Sequence, residues 1–253
     1  MFELFGLLGL STFIATSYLV GARLTLRGLR TRELPQAMLG SALLLSGGLN
    51  LSLLLPILFF PELPAAISHR LGGISLVLGT IGYLEIYVFV WLVFRRESRW
   101  GLALLTFCAV TLLAGLVGDL LTRQPGQLTI GDDAWFGPWL LLFNASRLVA
   151  YTWGGCESLA YYVKMRRRLA LGLADPALVA RFGYWSLCMF SIDVIWAAQI
   201  VAVWLRSMGE RPLWTSHLIA SMGFLVAITL HRAFAPARHE RSASDPVVGA
   251  DAG

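Results

Sequence analysis

The stretch WLLLFNASRLVAYTWGGCESLAYYV occupies residues 139–163 and decides how the chain folds. At about 1.5 Å of helix rise per residue, a helix of this length crosses the roughly 30 Å hydrocarbon core of a bilayer. Arg147 and Glu157 interrupt this otherwise apolar run. A charge at membrane depth is costly unless it is paired or hydrated. We therefore expect the other helices to surround this one and both charged residues to face the interior of the bundle.

The composition is typical of an integral membrane protein. Hydrophobic residues make up 57% of the 253 residues and charged residues only 14%, whereas soluble domains carry about 25% charged residues. The net charge of +5 comes from basic residues in short segments between apolar runs. That distribution follows the positive-inside rule and not the basic stripe of a nucleic-acid-binding surface. The composition therefore predicts the lipid bilayer as a partner and excludes nucleic acid.

Seven apolar segments are long enough to span a membrane, which predicts an all-α polytopic fold. The transmembrane domain covers residues 1–235, and the polar tail at 236–253 is expected to be a disordered cytoplasmic segment. The predicted helices run over residues 3–23, 36–60, 71–94, 101–121, 136–163, 178–205 and 213–234.

The basic residues predict the orientation. Fifteen lysines and arginines lie in segments that share one side of the membrane, and four lie in segments on the other side. The excess marks the cytoplasmic side, so the N-terminus is outside and the C-terminus inside. The four on the outer side are Arg70, Arg123, Arg206 and Arg211.

A repeated spacing suggests an internal repeat. Pro35 and Pro176 open the second and sixth helices, and a glycine, Gly82 or Gly223, lies 47 residues beyond each proline. This spacing is compatible with a three-plus-one-plus-three arrangement in which the fourth helix is a linker. Chance alignment of leucine-rich helices is the alternative.

Three charged residues lie at a similar predicted depth. Counted along the helices from the nearest membrane edge, Glu85, Arg147 and Asp193 lie about 12 to 18 Å deep. They form the core of a candidate intramembrane site for a ligand or an ion. The remaining candidates for this site are Asn50, Asn144, Tyr151, Glu157, Trp196 and Gln199.

Three functions fit this polar set. The first is a receptor-like module that binds a small polar or lipid-like ligand in a cavity. The second is a secondary transporter or proton-coupled carrier that uses Glu85 and Asp193 as a path. The third is a structural membrane protein in which Arg147 pairs with Asp193 or Glu85.

Catalytic and metal-binding motifs are missing from the sequence. It contains no HExxH, GxSxG or glycine-rich phosphate loop. His217 and His231 lie about 21 Å apart along one helix, too far to share a metal. The three cysteines are spread over separate apolar segments. We predict no cofactor and no metal, and an enzyme is less favoured than a binding protein.

The layout resembles two known groups of seven-helix proteins. Rhodopsins and receptor-type proteins also place the N-terminus outside, but the last helix has no lysine for a retinal Schiff base, and the only lysine is Lys164. Seven-helix sugar transporters share the three-plus-one-plus-three plan, and Pro35-Gln36 resembles their PQ dipeptide. That dipeptide lies at a helix entrance here, so their substrate sites are not carried over.

Three further segments carry a resemblance to one family. RTRELPQAMLG at residues 30–40, WLVFRRESRWG at 91–101 and LALGLADPALVARF at 169–182 resemble an uncharacterised family of bacterial seven-helix integral membrane proteins. The resemblance covers most of the chain and implies a bacterial inner-membrane location. It implies no activity, and the oligomeric state stays open.

Overall fold

The computed structural model describes residues 2–60, 62–122, 137–208 and 213–234, which form seven helices and no strand. The second helix is continuous but has three parts, a middle part with π-helical geometry between two α-helical parts. The helices are α1 (Phe2–Thr31), α2 (Leu34–Ala42, Leu43–Leu49 and Asn50–Phe59), α3 (Ala65–Phe94), α4 (Arg99–Thr122), α5 (Pro138–Ala170), α6 (Pro176–Ser207) and α7 (Leu213–Phe234).

Six of these helices are long and apolar enough to cross a membrane, by length and composition, and they indicate a multi-pass membrane protein. The helix that falls short among the described residues is α5. Its 33 residues are long enough, but Asn144, Arg147 and Glu157 lie in its middle and lower its hydropathy. Residues 139–163 therefore lie in the most polar helix of the seven.

The seven helices close into a ring. Each helix packs against the next along the chain, and α1 packs against α7. In addition, α3 contacts α5 inside this ring. The turns that follow α1, α3 and α5 lie at one end, which we name the basic end; the other end is the opposite end. Because neighbours along the chain are antiparallel, α3 and α5 run in the same direction.

Glycines permit the closest helix contacts. A Cβ atom added to Gly40 of α2 would lie 2.7 Å from the carbonyl oxygen of Gly21 in α1. A Cβ atom added to Gly223 of α7 would lie 2.9 Å from the carbonyl oxygen of Gly9 in α1. Separations this short leave no room for a side chain, as is common where helices pack in lipid. Both neighbours of α1 thus meet its backbone directly.

Two helices end later than predicted, and with the same cap. α1 extends to Thr31 instead of residue 23, and α5 extends to Ala170 instead of residue 163. After each, a residue with positive φ turns the chain, Arg32 (57°) and Gly172 (71°). An N–H···O=C bond of 2.9 Å then spans six residues, from Glu33 to Gly28 and from Leu173 to Arg168, which is the Schellman motif. Hydropathy predicts the end of the apolar run, whereas these helices continue into polar sequence.

The other predicted boundaries agree with the structure more closely. α2, α4, α6 and α7 begin and end within two residues of the prediction, while α3 begins six residues earlier, at Ala65. The internal repeat and the membrane orientation stay predictions. The predicted disordered tail at 236–253 lies outside the described residues.

Candidate functional site

The ring encloses a cavity of about 390 Å³. Every one of the seven helices contributes to its wall, from Phe13 of α1 to Gly223 of α7. We name it the central cavity. It extends from the opposite end, where Thr122 of α4 and Pro138 of α5 line it, to Tyr151 in the middle of α5. Its volume lies within the roughly 300–1,000 Å³ of small-molecule sites.

Among the described residues, Arg147 supplies the basic side chain in the wall of the central cavity, and aromatic rings surround it. The residue is 6% exposed. Its Cζ atom lies 3.5 Å from the centroid of the Trp196 ring, 5.2 Å from that of Phe143 and 5.6 Å from that of Tyr83. A guanidinium so close to a ring face is attracted by the ring quadrupole. These rings hold the cation at a fixed position in a largely apolar wall.

The hydrogen bonds of Arg147 leave donors available. Its Nη2 donates to the Oδ1 atom of Asn144, one turn earlier on α5. Its Nε is buried and has no hydrogen-bond partner among the described residues. A guanidinium carries five N–H donors in a planar fork. The arrangement is therefore suited to a planar or tetrahedral anion, which accepts several N–H groups at once.

Asn50 is a second polar residue in the wall of the central cavity. The hydroxyl of Ser75 in α3 donates to the backbone oxygen of Asn50, at 3.1 Å, and to its side-chain Oδ1. A Cβ atom added to Gly79 would lie 2.7 Å from Nδ2 of Asn50. These contacts fix the amide between α2 and α3, with Asn50 in the wall of the central cavity.

Most of the predicted site residues meet at this cavity. Those that line it are Asn50, Asn144, Arg147, Tyr151, Trp196 and Gln199. The three predicted carboxylates do not line it: Glu85, Glu157 and Asp193. The predicted grouping of Arg147 with Glu85 and Asp193 therefore does not form.

Glu85 and Asp193 lie between helices, away from the cavity wall. Glu85 is half-buried on α3 beside Ser41 of α2. Asp193 is half-buried on α6, and its Oδ2 accepts a 2.9 Å hydrogen bond from the hydroxyl of Thr152 in α5. Neither carboxylate forms an ion pair with Arg147. The structural hypothesis, in which one of them neutralises Arg147, is wrong in both of its versions because the aromatic rings occupy the space around the guanidinium.

Glu157 is paired at the basic end of the bundle. Its Oε1 accepts a 2.7 Å hydrogen bond from Nε of Arg95, at the end of α3, and a 3.3 Å bond from Nε1 of Trp153. The guanidinium of Arg95 also lies 5.0 Å from the Trp100 ring. Glu157 was predicted as a cavity residue, and this ion pair corrects that prediction. It joins α3 to α5.

Several residues of the cavity wall were not among the predicted site residues. Tyr83 and Phe143 contact Arg147, and Asp119 lines the cavity near the opposite end. Phe143 lies four residues before Arg147, on the same helix face, which is a usable signal. Asp119 lies near the end of α4, where its depth alone does not indicate a cavity residue. Nothing in the sequence indicated that Tyr83 lines the cavity, because its position depends on the packing of α3 against α5.

Asp119 and Arg147 lie at different levels of the cavity. Gly118 packs against the ring of Trp139, which lies eight residues, or about 12 Å of helix rise, before Arg147. The cavity thus has an acidic residue near the opposite end of the bundle and a cation deeper inside. Among the described residues, no group of three or more histidine, cysteine or acidic side chains could hold a metal ion.

No protein-family model, no curated protein and no solved structure matches this chain. The function is therefore inferred from the central cavity and its residues.

Proposed function

We propose that this protein is a receptor-like integral membrane protein of the bacterial inner membrane that binds a small amphiphile in its central cavity. The ligand carries one anionic group, which contacts Arg147, and an apolar body, which lies against the leucine, isoleucine and aromatic side chains of the wall. One observation carries the proposal: a buried guanidinium faces a largely apolar cavity without an ion-pair partner among the described residues.

The Arg147 charge is only partly compensated by its neighbours, and this has an energetic cost. Burying a cation without a counter-ion is unfavourable by several kcal/mol, and ring contacts offset about 2 kcal/mol of this. An anion bound at Arg147 would offset the rest and would use the N–H groups that Asn144 leaves available. Ligand binding therefore gives a physical reason for an arginine at this position.

The membrane topology forms part of the proposal. We propose that α5 is a seventh span, with the N-terminus outside and the C-terminus in the cytoplasm. The length of α5, about 50 Å, and its position between α4 and α6 in the ring support the seventh span. The excess of arginines at the basic end supports the orientation. The opposite end of the bundle, which the central cavity reaches, then faces the outside.

Reporter fusions at the two termini test this topology. Seven spans put the termini on opposite sides of the membrane, whereas six put them on the same side. We expect a C-terminal fluorescent protein, which matures only in the cytoplasm, to be bright, and an N-terminal alkaline phosphatase, which is active only outside, to be active. Two termini on one side would contradict the seventh span.

A carrier is the alternative function. Its predicted path used Glu85 and Asp193, and neither residue lines the central cavity. This favours binding over transport. A flux assay in liposomes separates the two, because a carrier moves its ligand across the membrane and a binding protein only retains it.

Native mass spectrometry of the purified protein tests the binding proposal directly. We expect the wild-type protein to retain a small amphiphilic anion that Arg147→Gln loses. Asp193→Asn is the matched control, because it removes a charge at similar depth outside the cavity and should retain the ligand. Retention by Arg147→Gln, or no retained species after incubation of the wild-type protein with a panel of fatty acids and other amphiphilic carboxylates, would contradict the proposal.

A further inference from the structure

A second cavity lies at the basic end of the bundle. It has a volume of about 710 Å³ and lies between the turn from α1 to α2, the end of α3, the start of α6 and the end of α7. We name it the basic groove. It shares no lining residue with the central cavity.

The inner wall of the basic groove is built from aromatic rings. Trp185 of α6 lies 6.1 Å from the ring of Phe89 in α3 and 5.5 Å from the ring of Phe234 in α7, both with edge-to-face geometry. Trp185 lies nine residues beyond the first residue of α6, Pro176, which corresponds to about 14 Å of helix rise. The groove is therefore an apolar recess that extends well into the bundle from its basic end.

The rim of the basic groove is positively charged. Among the described residues, three arginines line it, Arg27, Arg32 and Arg181, together with one acidic residue, Glu33. All three arginines are exposed. Arg32 adopts a positive φ of 57°, a conformation that costs a non-glycine residue about 1 kcal/mol or more. An arginine thus occupies a position where glycine would be more stable.

Two polar atoms of the groove residues have no hydrogen-bond partner among the described residues. They are Nε1 of Trp185, whose residue is 5% exposed, and Oε1 of Gln36. Buried donors usually find an acceptor. An indole N–H in the groove wall, one helical turn beyond Arg181 of the rim, is suited to the oxygen atoms of an ester or a phosphate group.

We propose that the basic groove binds an anionic membrane phospholipid. The phosphate contacts the arginine rim, and one acyl chain lies against the aromatic wall. The combination of a basic rim and an apolar recess matches an amphiphile whose charge lies at the membrane surface, and basic pockets between transmembrane helices recognise such headgroups. The site goes beyond the central cavity and is independent of Arg147.

Lipid retention measured by native mass spectrometry tests this site. The full-length protein is reconstituted in equal parts of phosphatidylglycerol and phosphatidylcholine, and the lipids that remain bound after release into the gas phase are identified. We expect wild-type protein to retain phosphatidylglycerol preferentially. Arg32→Gln/Arg181→Gln should lower this preference about 25-fold, from roughly fivefold for each arginine near an anionic headgroup.

Arg167→Gln/Arg168→Gln is the matched control. These exposed arginines lie in the last turn of α5 at the same end and do not line the groove. The control should keep the preference, because it removes the same charge from the surface but not from the site. An equal loss in both double variants would mean diffuse surface attraction and would overturn the proposal.

Two further outcomes are decisive even if the double variant does not fold. Equal retention of both lipids by the wild-type protein overturns the proposal. So does a preference that appears only after deletion of residues 236–253, because the groove would then hold the chain's own tail.

Trp185→Phe keeps the ring contacts and removes the indole N–H, and it should weaken phosphatidylglycerol retention about fivefold. All of these results are independent of the Arg147 experiment, so the two proposals stand or fall separately.

Discussion

Arg147 and Glu157 lie ten residues apart on α5, and their charges have different partners. Both are buried, 6% and 7% exposed. Glu157 accepts hydrogen bonds from Arg95 and from Trp153. Arg147 has aromatic rings and one amide oxygen around it, but no carboxylate among the described residues.

The contrast shows that burial alone does not distinguish a structural charge from a functional one. An ion pair that joins two helices explains why Glu157 is present, without any ligand. For Arg147 the protein supplies only part of the compensation that a buried cation requires. The following substitutions test this contrast, beginning with the largest expected change in stability.

Glu157→Leu should destabilise the protein most. We expect the free energy of unfolding to fall by about 2 kcal/mol, because Arg95 and the indole N–H of Trp153 lose their acceptor. The Arg95 side chain is 41% exposed, so water replaces part of the lost interaction and keeps the loss below that of a fully buried pair. Chemical denaturation in detergent measures the change.

Glu157→Gln is the control for this pair. It keeps an acceptor oxygen and removes only the charge, so the expected loss is about 1 kcal/mol. Equal stability of the Leu variant and the wild-type protein would show that the pair does not hold α3 and α5 together.

Arg147→Met should leave the ligand-free protein as stable as wild type, or more stable by up to about 1 kcal/mol. Replacing a buried charge with an apolar side chain of similar size removes its desolvation cost, while the ring contacts with the cation are lost. Thermal unfolding of delipidated protein measures this. A larger loss of stability than that of Glu157→Leu would show that Arg147 has a structural role and would contradict the contrast with Glu157.

Trp100→Leu should cost about 0.5 kcal/mol. The Arg95 guanidinium lies 5.0 Å from the Trp100 ring, and Trp100 is 51% exposed, so its cation–π contact is near the weak end of the range. The same unfolding measurement applies. A loss approaching that of Glu157→Leu would show that the ring, and not the carboxylate, holds Arg95.

Asp193→Asn should change the stability by less than about 0.5 kcal/mol, and it should not change ligand retention. The Thr152 hydroxyl can donate to an amide oxygen as well as to a carboxylate, and Asp193 does not line the central cavity. Thermal unfolding and native mass spectrometry check the two statements. Loss of the ligand in this variant would extend the site to Asp193.

The sequence predicts the helices better than it predicts the site, and the reason is geometric. Depth along a helix follows from counting residues, but the direction of a side chain depends on how the helix is turned in the ring. On α3, Tyr83 is buried and lines the cavity. Glu85 is two residues further, about 200° around the helix, so it points away from the cavity.

Asp193 fails to line the central cavity for the same geometric reason. Ile192, Ile195, Trp196 and Gln199 of α6 line the central cavity, with the spacing of one helical face. Asp193 lies about 100° from Ile192, towards α5, where it meets Thr152. The sequence contains this stripe, but only the packing shows which stripe of α6 faces inward.

The π-helical part of α2 has a consequence for how related chains should be compared. In Leu43–Leu49 the hydrogen bonds span five residues instead of four, as in the bond from Asn50 N–H to the Leu45 carbonyl oxygen. A widened turn of this kind accommodates an additional residue in the helix. A homologue with one residue fewer here would form a regular α-helix in which the residues after this part keep nearly the same direction. A one-residue gap in this part of an alignment would therefore mark proteins that lack the widened turn but keep the Asn50 position in the cavity wall.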